Sequence, residues 1–63
     1  MYSIKLRVDG DLYRVSYDYL GGYAEILEIK LFYLNRFYKV DPRECEEVLK
    51  QANQKIENLI CMN

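Results

Sequence analysis

The sequence predicts an α+β fold, ordered βββα: a three-stranded antiparallel meander, with room for a short fourth strand, packed on one face by a single C-terminal helix. Three observations predict it. Residues 2–8 and 11–19 alternate apolar and polar side chains on either side of Asp9-Gly10. A third alternating run follows the pair Gly21-Gly22. Asp41-Pro42-Arg43-Glu44 then opens a stretch whose apolar residues recur at helical spacing.

The first hairpin is the best specified element. Tyr2, Ile4, Leu6 and Val8 share one face of the first strand, and Ser3, Lys5 and Arg7 share the other. Asp-Gly suits a two-residue type I′ turn, which needs positive φ at both central positions. Such a turn pairs Leu6 with Tyr13, Ile4 with Val15 and Tyr2 with Tyr17, so turn chemistry and hydrophobic pattern give the same register.

The third strand is predicted over about residues 24–33. A two-residue turn at Gly21-Gly22 would set Val15 opposite Glu28 and Tyr13 opposite Lys30, which mixes core and solvent faces. A three-residue loop, Gly21-Gly22-Tyr23, instead pairs Tyr17 with Leu27, Val15 with Ile29 and Tyr13 with Leu31. The longer loop is therefore expected. A helix over 24–37 competes, since Ala24, Leu27, Leu31 and Leu34 fit helical spacing. It lacks an N-cap residue and contains the strand formers Ile29, Phe32 and Tyr33, so the strand is preferred. Residues 34–40 connect to the helix, with Phe37-Tyr38-Lys39-Val40 as the candidate fourth strand.

The helix is expected from Pro42 to about Ile60. Asp41 is the N-cap, Pro42 occupies the first helical position, and Glu44 sits where a capping box places a glutamate. Cys45, Val48, Leu49, Ala52, Ile56, Leu59 and Ile60 form the apolar stripe.

At 63 residues the chain is one domain. A chain of this length buries only about 60% of its unfolded surface, so staples or self-association are the usual remedies. Cys45 and Cys61 on one helix would lie ~24 Å apart, beyond disulfide reach. With no histidine and no CxxC pair, neither a metal nor any other cofactor is expected. Oligomerisation or a protein partner is the remaining remedy. The N-terminus carries no apolar run, so neither a signal peptide nor a membrane association is expected, and the predicted location is cytoplasmic.

Catalysis is not expected either. The sequence has no histidine for general-base work and no phosphate-cradling glycine motif. Glu44, Glu46 and Glu47 complement the helix dipole, and Cys45 lies on the apolar stripe as a buried thiol. A small-molecule substrate has no enclosed site to occupy in a chain this size.

Function is therefore sought on the sheet face that the helix leaves bare. The expected register lines up Lys5, Arg14 and Lys30 in one row, and Arg7, Leu12 and Phe32 in the next. Further rows hold Ser3, Ser16 and Glu28, then Asp18 and Ile26. The basic row has two readings: long stems splayed into water, or a surface for an acidic partner. Phe32, Ile26 and Leu12 are apolar groups on the same face, and clustered exposed apolar groups mark interaction sites. The candidate partner-binding residues are thus Phe32, Ile26, Leu12, Lys5, Arg7, Arg14 and Lys30. The expected function is a small non-enzymatic, protein-binding accessory or regulatory module, of the size common among phage and prophage accessory proteins. It would act through the sheet face, a sheet edge or homodimerisation. The alternative is a small nucleic-acid-binding module using the basic face, against which the net charge of −1 weighs.

Overall fold

The computed structural model describes residues 1–61, with side chains as far as Leu59. The expectation that Ile60 completes the apolar stripe falls outside the described side chains. The element order is β1 (Tyr2–Val8), β2 (Asp11–Leu20), β3 (Tyr23–Tyr33), β4 (Arg36–Val40), a 3-10 turn (Pro42–Glu44) and α1 (Glu46–Cys61). The strands form one antiparallel sheet in the order β1-β2-β3-β4, with α1 packed on one face. This is the predicted α+β architecture, and the short fourth strand is present.

All three hairpins turn through two residues with positive φ: Asp9-Gly10, Gly21-Gly22 and Leu34-Asn35. The β1–β2 register is the predicted one, from Tyr2↔Tyr17 to Val8↔Asp11. Between β2 and β3 the structure corrects the expectation. The glycine pair makes a two-residue turn, not a three-residue loop, and Leu20↔Tyr23 to Tyr17↔Ile26 follow from it. Beyond Ser16↔Glu28, however, the pairing is the one the longer loop implied, including Val15↔Ile29 and Tyr13↔Leu31. A β-bulge between these two registers leaves Leu27 as the extra residue. The chain thus keeps the favourable glycine turn and the apolar register together.

The core consists of Ile4, Leu6 and Val8 from β1, Val15 from β2, Ile29 from β3, and Val48, Ala52 and Ile56 from α1. The helical contributors recur every four residues, which keeps them on one side of α1. Tyr13, Tyr17, Ala24, Ile26, Val40, Cys45 and Leu49 pack around this nucleus. Full burial of an Ile or Val side chain is worth about 1.5–3 kcal/mol, so this small set carries most of the stability. The helix lies closest to β1. Leu59, predicted on the buried stripe, is instead exposed.

The helix start also differs from the prediction. Asp41 does cap, its Oδ1 accepting from the Arg43 N–H at 2.9 Å, but the turn it opens is 3-10 and ends at Cys45. Cys45 breaks helical geometry at φ −126°, ψ 52°, and its carbonyl accepts the first α-helical bond from the Leu49 N–H at 3.0 Å. The single helix expected from Pro42 is therefore a capped 3-10 turn joined to an α-helix that begins at Glu46.

Candidate functional site: the open face of the sheet

The face opposite α1 carries one row of cations across the full width of the sheet. Lys5 lies opposite Arg14, Arg14 opposite Lys30, and Lys30 opposite Lys39. The three-cation row read from the sequence is thus a four-cation row, because β4 adds Lys39. With strands about 4.8 Å apart, the row is roughly 14 Å long. Like charges directly opposite one another destabilise a sheet pair by some tenths of a kcal/mol. Only one of the four has a carboxylate in reach among the described residues, Lys30 with Glu28 at 3.2 Å.

The adjoining row is Arg7, Leu12, Phe32 and Phe37, again one residue from each strand. The Phe32 and Phe37 ring centroids lie 5.0 Å apart with planes at 49°. Arg14 reaches across from two strands away, its guanidinium 5.8 Å from the Phe37 centroid. Phe32 and Phe37 are 36% and 39% exposed, while Leu12 is half-buried between its neighbours. Arg7 bends toward the first turn and donates to the Gly10 carbonyl at 3.3 Å.

Of the residues picked from the sequence, Lys5, Arg7, Arg14, Lys30, Leu12 and Phe32 share this face. Ile26 does not. The bulge turns it to the covered side, opposite Tyr17 and against the core. Its sequence neighbour Leu27, assigned to the core from alternation alone, is 44% exposed. Together with Met1, Arg14, Ser16, Glu28 and Lys30, Leu27 lines a hollow of about 230 Å³ beside the cation row. Phe37, Lys39 and Leu27 are the residues that sequence reading missed. The first two were legible in principle, because Phe37 and Lys39 alternate with Tyr38 and Val40, and Asn35 favours the left-handed turn before them.

Past the Ser3, Ser16 and Glu28 row the face becomes acidic, where Asp18 pairs with Glu25 and holds the N-terminal ammonium of Met1 at 3.3 Å. Cations and carboxylates are therefore sorted along the strands, and the near-zero net charge conceals the sorting.

The sheet edges are β1 and β4, since β4 pairs along the outer side of β3. On β1 the Lys5 carbonyl accepts from the Lys55 ammonium at 2.8 Å, which occupies part of that edge. A larger hollow of about 490 Å³ lies between β1 and α1, lined by Leu6 and by polar side chains of the helix such as Glu47, Lys50 and Gln51. Gln51 donates to Glu47 there at 3.0 Å.

Among the described residues, no group of His, Cys, Asp and Glu side chains could hold a metal ion. Nor is any described helix long and apolar enough to cross a membrane. Comparison with family models, with curated proteins and with solved structures gives no match to this chain.

Proposed function

We propose that the chain is a small, non-enzymatic binding module whose open sheet face holds an acidic partner. The observation that carries this reading is the unbroken row Lys5, Arg14, Lys30, Lys39 lying directly beside the exposed Phe32–Phe37 pair. The sheet bears the repulsion of that row in the free protein, and an anionic surface laid along it would relieve the repulsion. The aromatic pair adds apolar area next to the charge, the combination that gives a binding surface both steering and adhesion.

The test compares two variants of equal net charge, Lys39→Glu on the open face and Lys50→Glu on the exposed side of α1. Retention on an immobilised polyanion such as heparin, at low salt, should weaken for the first and stay near wild type for the second. Equal loss in both variants would reduce the effect to overall charge, and absence of retention by the wild type would sink the reading.

A further inference from the structure

Building on the acidic-partner reading, we infer that the partner is single-stranded nucleic acid. Its phosphates would run along Lys5, Arg14, Lys30 and Lys39, and its bases would lie on Phe32 and Phe37. The two rows are neighbours on one face, two residues apart along each strand, or about 6.8 Å. That step is comparable to the separation between a phosphate and the base of the same nucleotide. A backbone crossing all four strands can therefore keep its charges on one row while its bases reach the next.

The aromatic pair discriminates among anionic partners. An acidic peptide satisfies the cations but offers no flat π-surface, so Phe32 and Phe37 would contribute only area. Bases stack on aromatic rings with any sequence, each such stack being worth about 1–3 kcal/mol. The 49° between the ring planes suits two bases splayed from an extended strand better than two bases held parallel in a duplex. Arg14 serves both rows, since its guanidinium is charged for phosphate and already lies over the Phe37 ring. The acidic pair Asp18 and Glu25, at the far end of the same face, bars a phosphate backbone from turning along the strands and directs it across them.

The experiment measures fluorescence anisotropy of labelled oligo(dT) and oligo(U). Competitors are an abasic deoxyribose-phosphate oligomer of equal length, a duplex, and polyglutamate. Single strands of either sugar should bind, and the ratio of oligo(U) to oligo(dT) affinity reports any preference between RNA and DNA. Binding should weaken with salt, with a log–log slope of roughly −2 to −3 for the three or four phosphates that the row can hold on a single strand. The abasic oligomer, duplex and polyglutamate should each compete at least tenfold more weakly. Phe37→Ala, checked for folding by circular dichroism, should lose roughly five- to 150-fold in oligonucleotide affinity. It should change affinity for polyglutamate by less than about threefold, since only contact area is lost there. If abasic oligomer or polyglutamate competes as well as oligo(dT) and Phe37→Ala changes nothing, the nucleic-acid inference is overturned while the acidic-partner reading stands. Equal binding of duplex overturns the single-strand assignment. If no polyanion binds at low salt, both fall.

Discussion

Ser16 and Tyr17 are adjacent in β2, yet the residues facing them across the sheet, Glu28 and Ile26, are two apart in β3. The unmatched residue between them, Leu27, reconciles two registers that no single strand pairing could satisfy. It also exchanges the environments of two apolar neighbours, leaving Ile26 against the core and Leu27 44% exposed. Substitution should therefore separate them. Leu27→Ser is expected to change stability by no more than about 0.5 kcal/mol, as for a surface position. Ile26→Ser should cost about 1–3 kcal/mol by placing a hydroxyl against apolar packing. Urea unfolding checks both, and the reverse order of effects would contradict the bulged register.

The third hairpin carries a residue ill suited to its turn. Leu34 is held at φ +51° and is 74% exposed, so it bears the backbone cost without burying its side chain. An L-residue in the left-handed region is penalised by roughly 1–2 kcal/mol, and asparagine is less so because its amide can bond locally. Leu34→Asn should stabilise the protein by about 1 kcal/mol. In a domain of this size that raises the melting temperature by about 4–8 °C.

Leu34 also shows why part of the fold escaped the sequence. The first hairpin was legible because Asp9-Gly10 and the flanking alternation independently gave one register. At Leu34-Asn35 only the asparagine suggests a turn, so the alternation puts Phe37 and Lys39 on one face of β4 without fixing the register that joins them to the two rows. At the glycine pair the two signals conflicted. A one-residue bulge satisfies both. The start of α1 was misplaced for a different reason. Asp41-Pro42-Arg43-Glu44 is equally good chemistry for a 3-10 turn and for an α-helix, and nothing local distinguishes them. Three of the four cations in the row were legible because they depend on the two strand pairings whose core alternation is strong.

The core is small enough for one truncation to matter. Ile56 is fully buried among residues from both layers. Ile→Ala at such a site costs about 2–5 kcal/mol. A domain of this length has a total stability of only about 3–9 kcal/mol. Near the middle of both ranges Ile56→Ala loses roughly half of the stability, read as a fall of at least about 2 kcal/mol in the urea unfolding free energy. Val48→Ala, which removes less, should remain folded.

Alkaline pH should act through Tyr13. Its hydroxyl is held above the usual tyrosine range first by burial, then by the negative charges of Asp11, Cys45 and Asp9. A raised folded-state value means that the folded protein retains this proton when the unfolded chain has released it. The stabilisation is complete below the unfolded value near 10 and declines as pH rises through the raised folded value. Unfolding free energies measured from pH 8 upward should fall less steeply in Tyr13→Phe than in wild type over that window, and the phenolate absorbance of wild type should lose a late-titrating component in the variant.

Among the described residues Glu28 is the one carboxylate that engages the cation row, 3.2 Å from Lys30 and two residues from it on the same strand face. The pair is partly exposed, and surface pairs contribute at most about 1 kcal/mol, so Glu28→Gln should leave stability within about 1 kcal/mol. Its effect on binding should be larger than on folding, because removing the carboxylate both frees Lys30 and deletes a repulsive charge beside the path of an anionic partner. Polyanion affinity is expected to rise about three- to tenfold at low salt, with the gain shrinking as ionic strength screens it. The control is Glu57→Gln, which alters net charge equally on an exposed stretch of α1 away from the open face. A gain confined to Glu28→Gln places the partner on the cation row, and an equal gain in both variants removes it from there.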